Sequence, residues 1–545
     1  MTRATDINKE VRQLVNLWQP RKAAFSEWYQ MIRLYNNLAQ DKMESVISTD
    51  PRTGFDMAAW LLTPQTGTFV ADPEGLDMEE RQDVAAIEAY CNFQLLRANR
   101  LTRGTLFGTF TDRLVRLGLA TGWFSIFCLP TKDGWSLAAW NPATVFPDYN
   151  GDGSLARVAR RYTVSKSELV RKHNLEGWRV DPRNLPGRNV LISHLYEQAH
   201  GGIQHSVVLN SNILVRDELL TELSRIPVYV GPVAGLPDDG SITTSEQWRS
   251  EVGQSVIAPV KDMTENYNRM LTYMQQILRD TANPKYVERV RGASVLTPEK
   301  LYERGAIFSI EPDESIDTVP LPPLPAEMRA HQFDLRGNLQ RGLFSDITFG
   351  SITQQVSALL MSQVTAAAKR VLYPFHQGLT NVLGLMATET ICLMRELKMP
   401  LGKNPFPRLR EEPFISYRYD IQVPGDFVHR ATVGRMLNPQ FRLSGTTVTD
   451  VLFPEVTNIL EEQGRLQSED ALANPVFRQL ILVREMRRIA VDSAELGDTE
   501  FTTLLNRAAD EIARTLGGGG EPTAPTQGGD TTSSLPPEVQ ALLRG

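Results

Sequence analysis

Cysteine is scarce in this 545-residue chain: Cys91, Cys128 and Cys392 are the only three, far apart and odd in number. That count excludes a disulfide scaffold, leaves no pair with metal-ligand spacing and points to a reducing compartment. The three are read as buried small apolar residues. Long apolar runs are missing too. The richest window, Leu117 to Leu129, covers about 13 residues where a membrane helix needs about 20, so no membrane span is expected and the window reads as a buried strand or strand pair. The amphipathic opening MTRATDINKEVRQLVNLWQP has no apolar core before a cleavage site, so no export is expected. Neither sign of charge dominates: 57 Lys plus Arg against 64 Asp plus Glu leave −7, which argues against a polycation for nucleic acid but leaves room for a local basic stripe. With 41% hydrophobic and 22% charged residues, the composition is that of a large soluble protein, and the length predicts three or four structural units.

Motifs for chemistry are equally sparse. The chain holds no G-x-x-x-x-G-K-[ST], no G-x-G-x-x-G after a strand, no H-E-x-x-H and no C-x-x-C, the patterns that cradle phosphates or hold metals. Its seven histidines are scattered, and His200 and His205 flank a Gly-Gly turn that reads as a solvated hairpin better than as a metal site. In DYNGDGS, Asp148, Asn150, Asp152 and Gly153 copy the opening of a calcium loop, with oxygen donors at positions 1, 3 and 5 and glycine at 6. Position 12 is Ala159 and the flanks read as strands, so a tight β-hairpin is expected there. Nothing specific supports an acid/base pair. No catalytic residue, cofactor or metal is expected.

What is present is periodicity. Ile7, Val11, Leu14, Val15 and Trp18 keep a helical spacing up to Pro20, and Phe25, Trp28, Tyr29, Ile32, Tyr35 and Leu38 resume it. Residues 78–101 and 107–119 also read as helices. From about 121 to 235 short apolar or alternating runs punctuated by Asp-Gly, Asn-Pro and Gly-Gly predict a β-rich region. From Ser255 to Asp280, Val256, Val260, Met263, Tyr267, Met270, Met274 and Ile277 fall in alternating steps of four and three, a heptad seam on a long helix that carries Pro259 in its first turn. Strand-like YVERV, SVLT and AIFSI follow, with the acids Glu311, Asp313, Glu314 and Asp317: a small β appendage whose acids read as a solvated face, a pore lining or a contact for a basic partner. A second helix, about 326 to 344, carries Met328, Leu335, Leu339 and Leu343 on one side and Arg329, Arg336 and Arg341 among the rest. It is the antiparallel companion of the first, its arginines either paired on the helix surface or set against nucleic-acid phosphates. A break at SDITFGS precedes a third helix from about Ile352, interrupted by Pro374, and a fourth from Phe375 to Leu397. A strand pair is expected around FISYRYDIQV. Two amphipathic helices, Pro475 to Val491 and Thr499 to Leu516, come next, with Asp498 as cap and Gly517 as stop, and then the low-complexity tail GGGGEPTAPTQGGDTTSS.

That order of elements resembles the portal, or head-to-tail connector, family of tailed bacteriophages. The pieces that carry the likeness are RKAAFSEWYQMIRLYNNL, WNPATVFPDYNGDG, GQSVIAPVKDMTENYNRMLTYMQQILRD, AEMRAHQFDLRGNLQRGLF and SDITFGSITQQVSALLMSQVTAAAKRVLYP. The resemblance implies an α+β, helix-rich, multidomain subunit with wing, stem, clip and crown parts that assembles into a cyclic ring. It implies N-terminal helices and a β-rich wing over 1–252, a stem helix over 253–281, a clip over 282–325 and a returning stem helix over 326–344. A tunnel loop would occupy 345–351, a long kinked helix and the rest of the wing 352–437, a helical crown 438–516 and a flexible tail 517–545. Ser345, Asp346, Ile347, Thr348, Phe349, Gly350 and Ser351, with Arg329, Arg336 and Arg341, would face a DNA channel. Glu311, Asp313, Glu314 and Asp317 would sit in the partner-docking clip.

The function implied is that of a non-enzymatic ring of twelve copies at one capsid vertex. It would conduct double-stranded DNA without sequence specificity during packaging and ejection. Its partners would be itself, the terminase large subunit, the major capsid and scaffold proteins and a head-completion or tail adaptor protein, with no membrane. It would reside in the virion, and in the host cytoplasm during assembly. Another virion structural protein such as a tail adaptor is the alternative, and a metal-dependent multidomain enzyme a more remote one.

Overall fold

The computed structural model describes residues 2–35, 45–64, 67–71, 78–151, 153–176, 180–233, 249, 251–282, 286–290, 313, 315–318, 326–343, 358–402, 405–406, 413–421, 464–465, 475–495 and 499–517. It is a mixture of helices and antiparallel sheets, an α+β arrangement. In chain order come α1 (Thr2–Leu17), α2 (Gln19–Ile32), α3 (Asp50–Leu62), β1 (Thr68–Ala71), α4 (Met78–Thr102), α5 (Phe110–Thr121), β2 (Trp123–Thr131), β3 (Gly134–Ala139), β4 (Val145–Tyr149), β5 (Leu155–Ser165), α6 (Lys166–Glu176), β6 (Asn189–Ala199), β7 (Gly202–Leu209), β8 (Ile213–Leu220) and β9 (Val228–Pro232). Then follow α7 (Lys261–Ala282), β10 (Tyr286–Arg289), β11 (Ser315–Thr318), α8 (Ala326–Gly342), α9 (Ala358–Glu396), β12 (Ile415–Arg418), α10 (Pro475–Glu495) and α11 (Thr499–Gly517). By internal contacts the chain divides into 1–442 and 443–545.

The β-rich region holds two sheets, a five-stranded meander β4-β5-β6-β7-β8 and a three-stranded sheet β3-β2-β9. It also holds α6, which the strand-like texture of this stretch did not announce. Helix α1 lies on the meander, in contact with its five strands, and buries Ile7, Val11, Leu14, Val15 and Trp18, the face its 3.6-residue spacing marks. The DYNGDG segment is the turn between β4 and β5: the Asn150 N–H donates to the Ser154 carbonyl at 2.8 Å, and Gly153 sits at φ +82°, a region that favours glycine.

Three expectations change. The window Leu117–Leu129 is not a strand or strand pair throughout, because α5 runs to Thr121 and β2 begins at Trp123. Gly122 makes the switch at φ +69°, its N–H donating to the Gly118 carbonyl at 2.7 Å. A continuously apolar run carries no period, so a buried helix end and a buried strand read alike. Likewise, residues 358–396 form one helix through Pro374 instead of two helices broken there. The proline costs about 3 kcal/mol in a helix interior, yet Leu372, Phe375, Leu379, Leu383, Met386 and Ile391 are all buried, and at about 1.5–3 kcal/mol per side chain burial outweighs it. Finally, the strand in FISYRYDIQV has no local partner among the described residues: β12 pairs antiparallel with β1, Ile415 opposite Ala71. Helix α3 and strand β1 were not expected at all.

The principal core gathers α1–α5, β2, the start of α7 and α9, with Phe25, Phe110, Leu114, Leu119, Trp123, Phe124, Leu379 and Met386 buried in it. In the second unit, α10 and α11 pack together, with Val483, Ala490 and Ala509 buried and Arg487 bonded to Asp510 at 3.0 Å.

Candidate functional site: a two-helix arm

The root of the arm is built by residues 252–260. Val252, Val256, Ile257 and Val260 are buried. The Trp123 indole N–H donates to the Val252 carbonyl at 3.1 Å, and the Ser255 hydroxyl donates to the Leu119 carbonyl at 2.8 Å. Pro259 lies in a 3-10 turn, Ala258–Val260, just ahead of α7, where a missing N–H is tolerated. The 22 residues of α7 make a rod of about 33 Å and the 17 of α8 one of about 26 Å.

The two helices are antiparallel companions. Gly342, at the end of α8, lies so close to Val260, at the start of α7, that a Cβ would collide with the valine side chain, and Leu343 packs on Gly54 of α3. Beyond the other ends of both helices, β10 pairs with β11 in a two-stranded antiparallel ladder, Tyr286 opposite Thr318 and Arg289 opposite Ser315. A strap of chain holds the near half of α7 to the body: the Val46 N–H donates to Thr272 Oγ1 at 3.1 Å, and the Ser48 N–H to Asn268 Oδ1 at 2.9 Å. Lys261 Nζ pairs with Glu27 at 2.5 Å, and that carboxylate raises the lysine pKa.

The heptad seam is buried only in part. Val256, Val260, Tyr267 and Met270 are buried, whereas Met263 is exposed and Thr264 lies inside in its place. Met274 and Ile277 are half-buried. Toward the far end the arm bares apolar side chains: Leu278 is 56% exposed, Phe333 72%, and Tyr273, Tyr286 and Val287 are exposed as well.

Of the residues singled out by sequence, Arg329 and Arg336 are exposed on α8. Seven residues apart, they lie on one face of the helix, with exposed Phe333 between them. Arg341 falls in the last turn of α8. Asp313 and Asp317 are exposed; Asp317 stands opposite Val287 in the terminal ladder and accepts the Ser315 hydroxyl at 3.1 Å. Glu311 and Glu314 lie outside the described residues, as do Ser345, Asp346, Ile347, Thr348, Phe349, Gly350 and Ser351.

The other candidate chemistry resolves into structure. Asp148 pairs with Arg157 at 2.8 Å and Asp152 lies outside the described residues. His200 is exposed at a turn, while His205 faces His194 instead, Nε2 to Nδ1 at 3.3 Å, with the Tyr162 hydroxyl 3.4 Å from His194 Nε2. Burial, then the neighbouring Arg216, pushes His205 down to about 3; burial, His205, Arg160 and Arg216 depress His194. Cys91, Cys128 and Cys392 are free and buried, and burial pushes Cys128 up to about 12. Among the described residues no group of three or more His, Cys, Asp and Glu is placed to hold a metal ion, and no helix is long and apolar enough to cross a membrane.

Sequence patterning leaves Arg21 unmarked, although it locks α2 to the meander. It is buried, with its guanidinium 4.4 Å from the Trp18 ring and 4.5 Å from the Trp123 ring and Nη2 donating to the Val145 carbonyl at 2.5 Å. Its one advance sign is the aromatic density around it. No family model matches the chain, and no curated protein matches it in sequence.

Proposed function

We propose that the protein is the subunit of a bacteriophage portal: a ring, twelve copies by the family likeness, at one capsid vertex, through which double-stranded DNA is packaged and ejected. The observation that carries the reading is the arm, an antiparallel helix pair ending in a two-stranded ladder whose far half bares Leu278, Phe333, Tyr286 and Val287. Apolar side chains grouped on a projecting element call for a cover, and neighbouring copies around a cyclic axis supply one repeatedly. A net charge of −7 suits a channel past which DNA must slide, since dense phosphate neutralisation would hold it. Arg329 and Arg336, on one helix face, would give the ring its limited attraction for phosphate. In this reading the arm's terminal ladder, with Asp313 and Asp317, meets the terminase large subunit and later the head-completion or tail adaptor protein. The body meets capsid and scaffold proteins, and the ring has no turnover of its own.

Native mass spectrometry of the purified chain tests the reading. A particle on the order of 700 kDa, from twelve copies of 61.1 kDa, is expected for a closed ring. A monomer at every concentration overturns it.

A further inference from the structure

A groove of about 1100 Å³ lies where the five-stranded meander, the three-stranded sheet and the C-terminal end of α9 come together. Its wall is apolar, made by Phe127, Leu129, Leu219, Leu220, Leu397 and Met399. Phe127 is stacked on Trp140 with ring centroids 4.8 Å apart, so the wall continues into the apolar cluster of Trp140, Val158, Tyr196 and Leu223 beneath it. A concave, mostly apolar surface with a few placed polar groups has the make-up of a small-molecule site.

The floor supplies one of those groups. Tyr196 and His205 line it, stacked with centroids 4.1 Å apart. His205 is buried, its Nε2 faces His194 Nδ1, and His194 Nε2 faces the Tyr162 hydroxyl. A neutral imidazole carries one N–H, so with the Tyr162 hydroxyl donating at the head of the row, His194 holds its proton on Nδ1 and His205 on its own Nδ1. That last N–H has no acceptor among the described residues, and a buried donor left without one is costly. Burial, then Arg216, lowers the His205 pKa, so a guanidinium lies near the same imidazole. The rim carries Lys132, Arg216 and Lys398 against Glu222. Arg216 is bonded to Glu218 at 2.9 Å, whereas neither lysine makes an ion pair with a described residue. Lys398 sits at φ +52° in the turn that closes α9, where the Met399 N–H donates to the Met394 carbonyl at 2.9 Å. Glycine suits that position better, but only a side chain puts a cation on the rim.

We propose that this groove binds an amphiphilic organic anion, an apolar body with a single carboxylate or sulfonate head. The body lies against Phe127, Leu129, Leu219 and Leu397. The head accepts the His205 Nδ1–H beside Arg216, and Lys132 and Lys398 add a favourable field that Glu222 opposes in part. A polypeptide laid on the apolar wall would leave its own backbone N–H and C=O groups without partners, whereas a molecule polar at one end meets the one donor of the floor. The groove shares no residue with the arm, so it stands or falls independently of ring formation.

Fluorescence titration of the full-length chain tests this. The probe is 1-anilinonaphthalene-8-sulfonate, and the control is N-phenyl-1-naphthylamine, the same rings without the sulfonate. The sulfonate is expected to fill one saturable site per chain and to bind at least tenfold tighter than the neutral probe. Lys132→Glu with Lys398→Glu is expected to weaken the sulfonate about tenfold and leave the neutral probe unchanged, a split that misfolding, which moves both, cannot produce. Lys398→Gly is expected to weaken the sulfonate while the thermal midpoint holds or rises, and Glu222→Gln to tighten it. Leu219→Ser is expected to weaken both probes. Equal affinity for the two probes, or a sulfonate affinity that neither the lysine nor the leucine variant changes, overturns the proposal. So does a lower assembly mass for Leu219→Ser in sedimentation velocity, which would make the groove a contact between copies.

Discussion

Replacing Phe333 by alanine is the most direct perturbation of the arm. The side chain is 72% exposed in the single subunit, so its removal leaves almost nothing unpacked and the fold is expected to keep its stability within about 0.5 kcal/mol. In a ring the same ring system is covered by a neighbour. A phenylalanine presents about 200 Å², so cover of its exposed share would take about 140 Å² from water, worth about 3.5 kcal/mol at 25 cal/mol per Å². Alanine keeps its Cβ, and association does not return the full transfer value, so about 2–3 kcal/mol per contact is the expected loss. That is roughly 30- to 150-fold per contact. Assembly measured by mass photometry across protein concentration is therefore expected to shift to at least tenfold higher concentration, with an unchanged thermal unfolding curve for the subunit. A ring that forms from Phe333→Ala at the parent concentration would refute the reasoning, because the far end of α8 would then contribute no contact between copies. Lowered thermal stability without an assembly change would place Phe333 in the subunit's own packing.

Arg21 separates charge from volume. Burial lowers its pKa to about 9, a desolvation cost offset by two tryptophan faces and a charge-assisted bond to the Val145 carbonyl, together about 3–6 kcal/mol. Arg21→Met, which keeps the volume, is expected to leave the tryptophan-reported thermal midpoint within about 2 °C, whereas Arg21→Ala opens a void and costs about 3 kcal/mol; equal losses would show that the cation itself is indispensable. For the His194–His205 pair the folded pKa values lie below the unfolded value of about 6.5, so the unfolded chain takes up protons first. The stability the neutral pair contributes is present above about pH 6.5 and falls as pH drops toward 3, with Arg160 and Arg216 opposing protonation of the folded form. The thermal midpoint is expected to drop between pH 7.5 and 4.5, and by less in His205→Gln; an equal drop in that variant would assign the effect to carboxylates. Gly122→Ala places a Cβ against the Gly253 backbone at φ +69° and is expected to cost more than about 3 kcal/mol, read as rapid proteolysis of the purified chain; protease resistance equal to the parent's would mean that the two segments separate freely.

Local physics was legible in the residue order. The spacing of Ile7, Val11, Leu14, Val15 and Trp18 fixes which side of α1 turns inward, because 3.6 residues per turn leave no other arrangement of those side chains. Asn150 to Gly153 prescribes a tight hairpin, and the length of chain between two amphipathic helices prescribes an antiparallel pair with something small at its far end. Cysteines without spacing partners are buried thiols, and all three are.

What depends on distant residues was decided in three dimensions. Whether Pro374 ends a helix is a contest between one lost hydrogen bond and the apolar side chains around it, and the second term exists only once β2, β9 and β12 lie against α9. The choice of β1 as partner for β12 is invisible in either strand, since an edge of four residues carries no address. His205 pairs with His194 through a strand register, not through the five residues separating it from His200. Which side chains lie inside a subunit and which await a partner is a property of the packed surface, because burial depends on neighbours that no local pattern records.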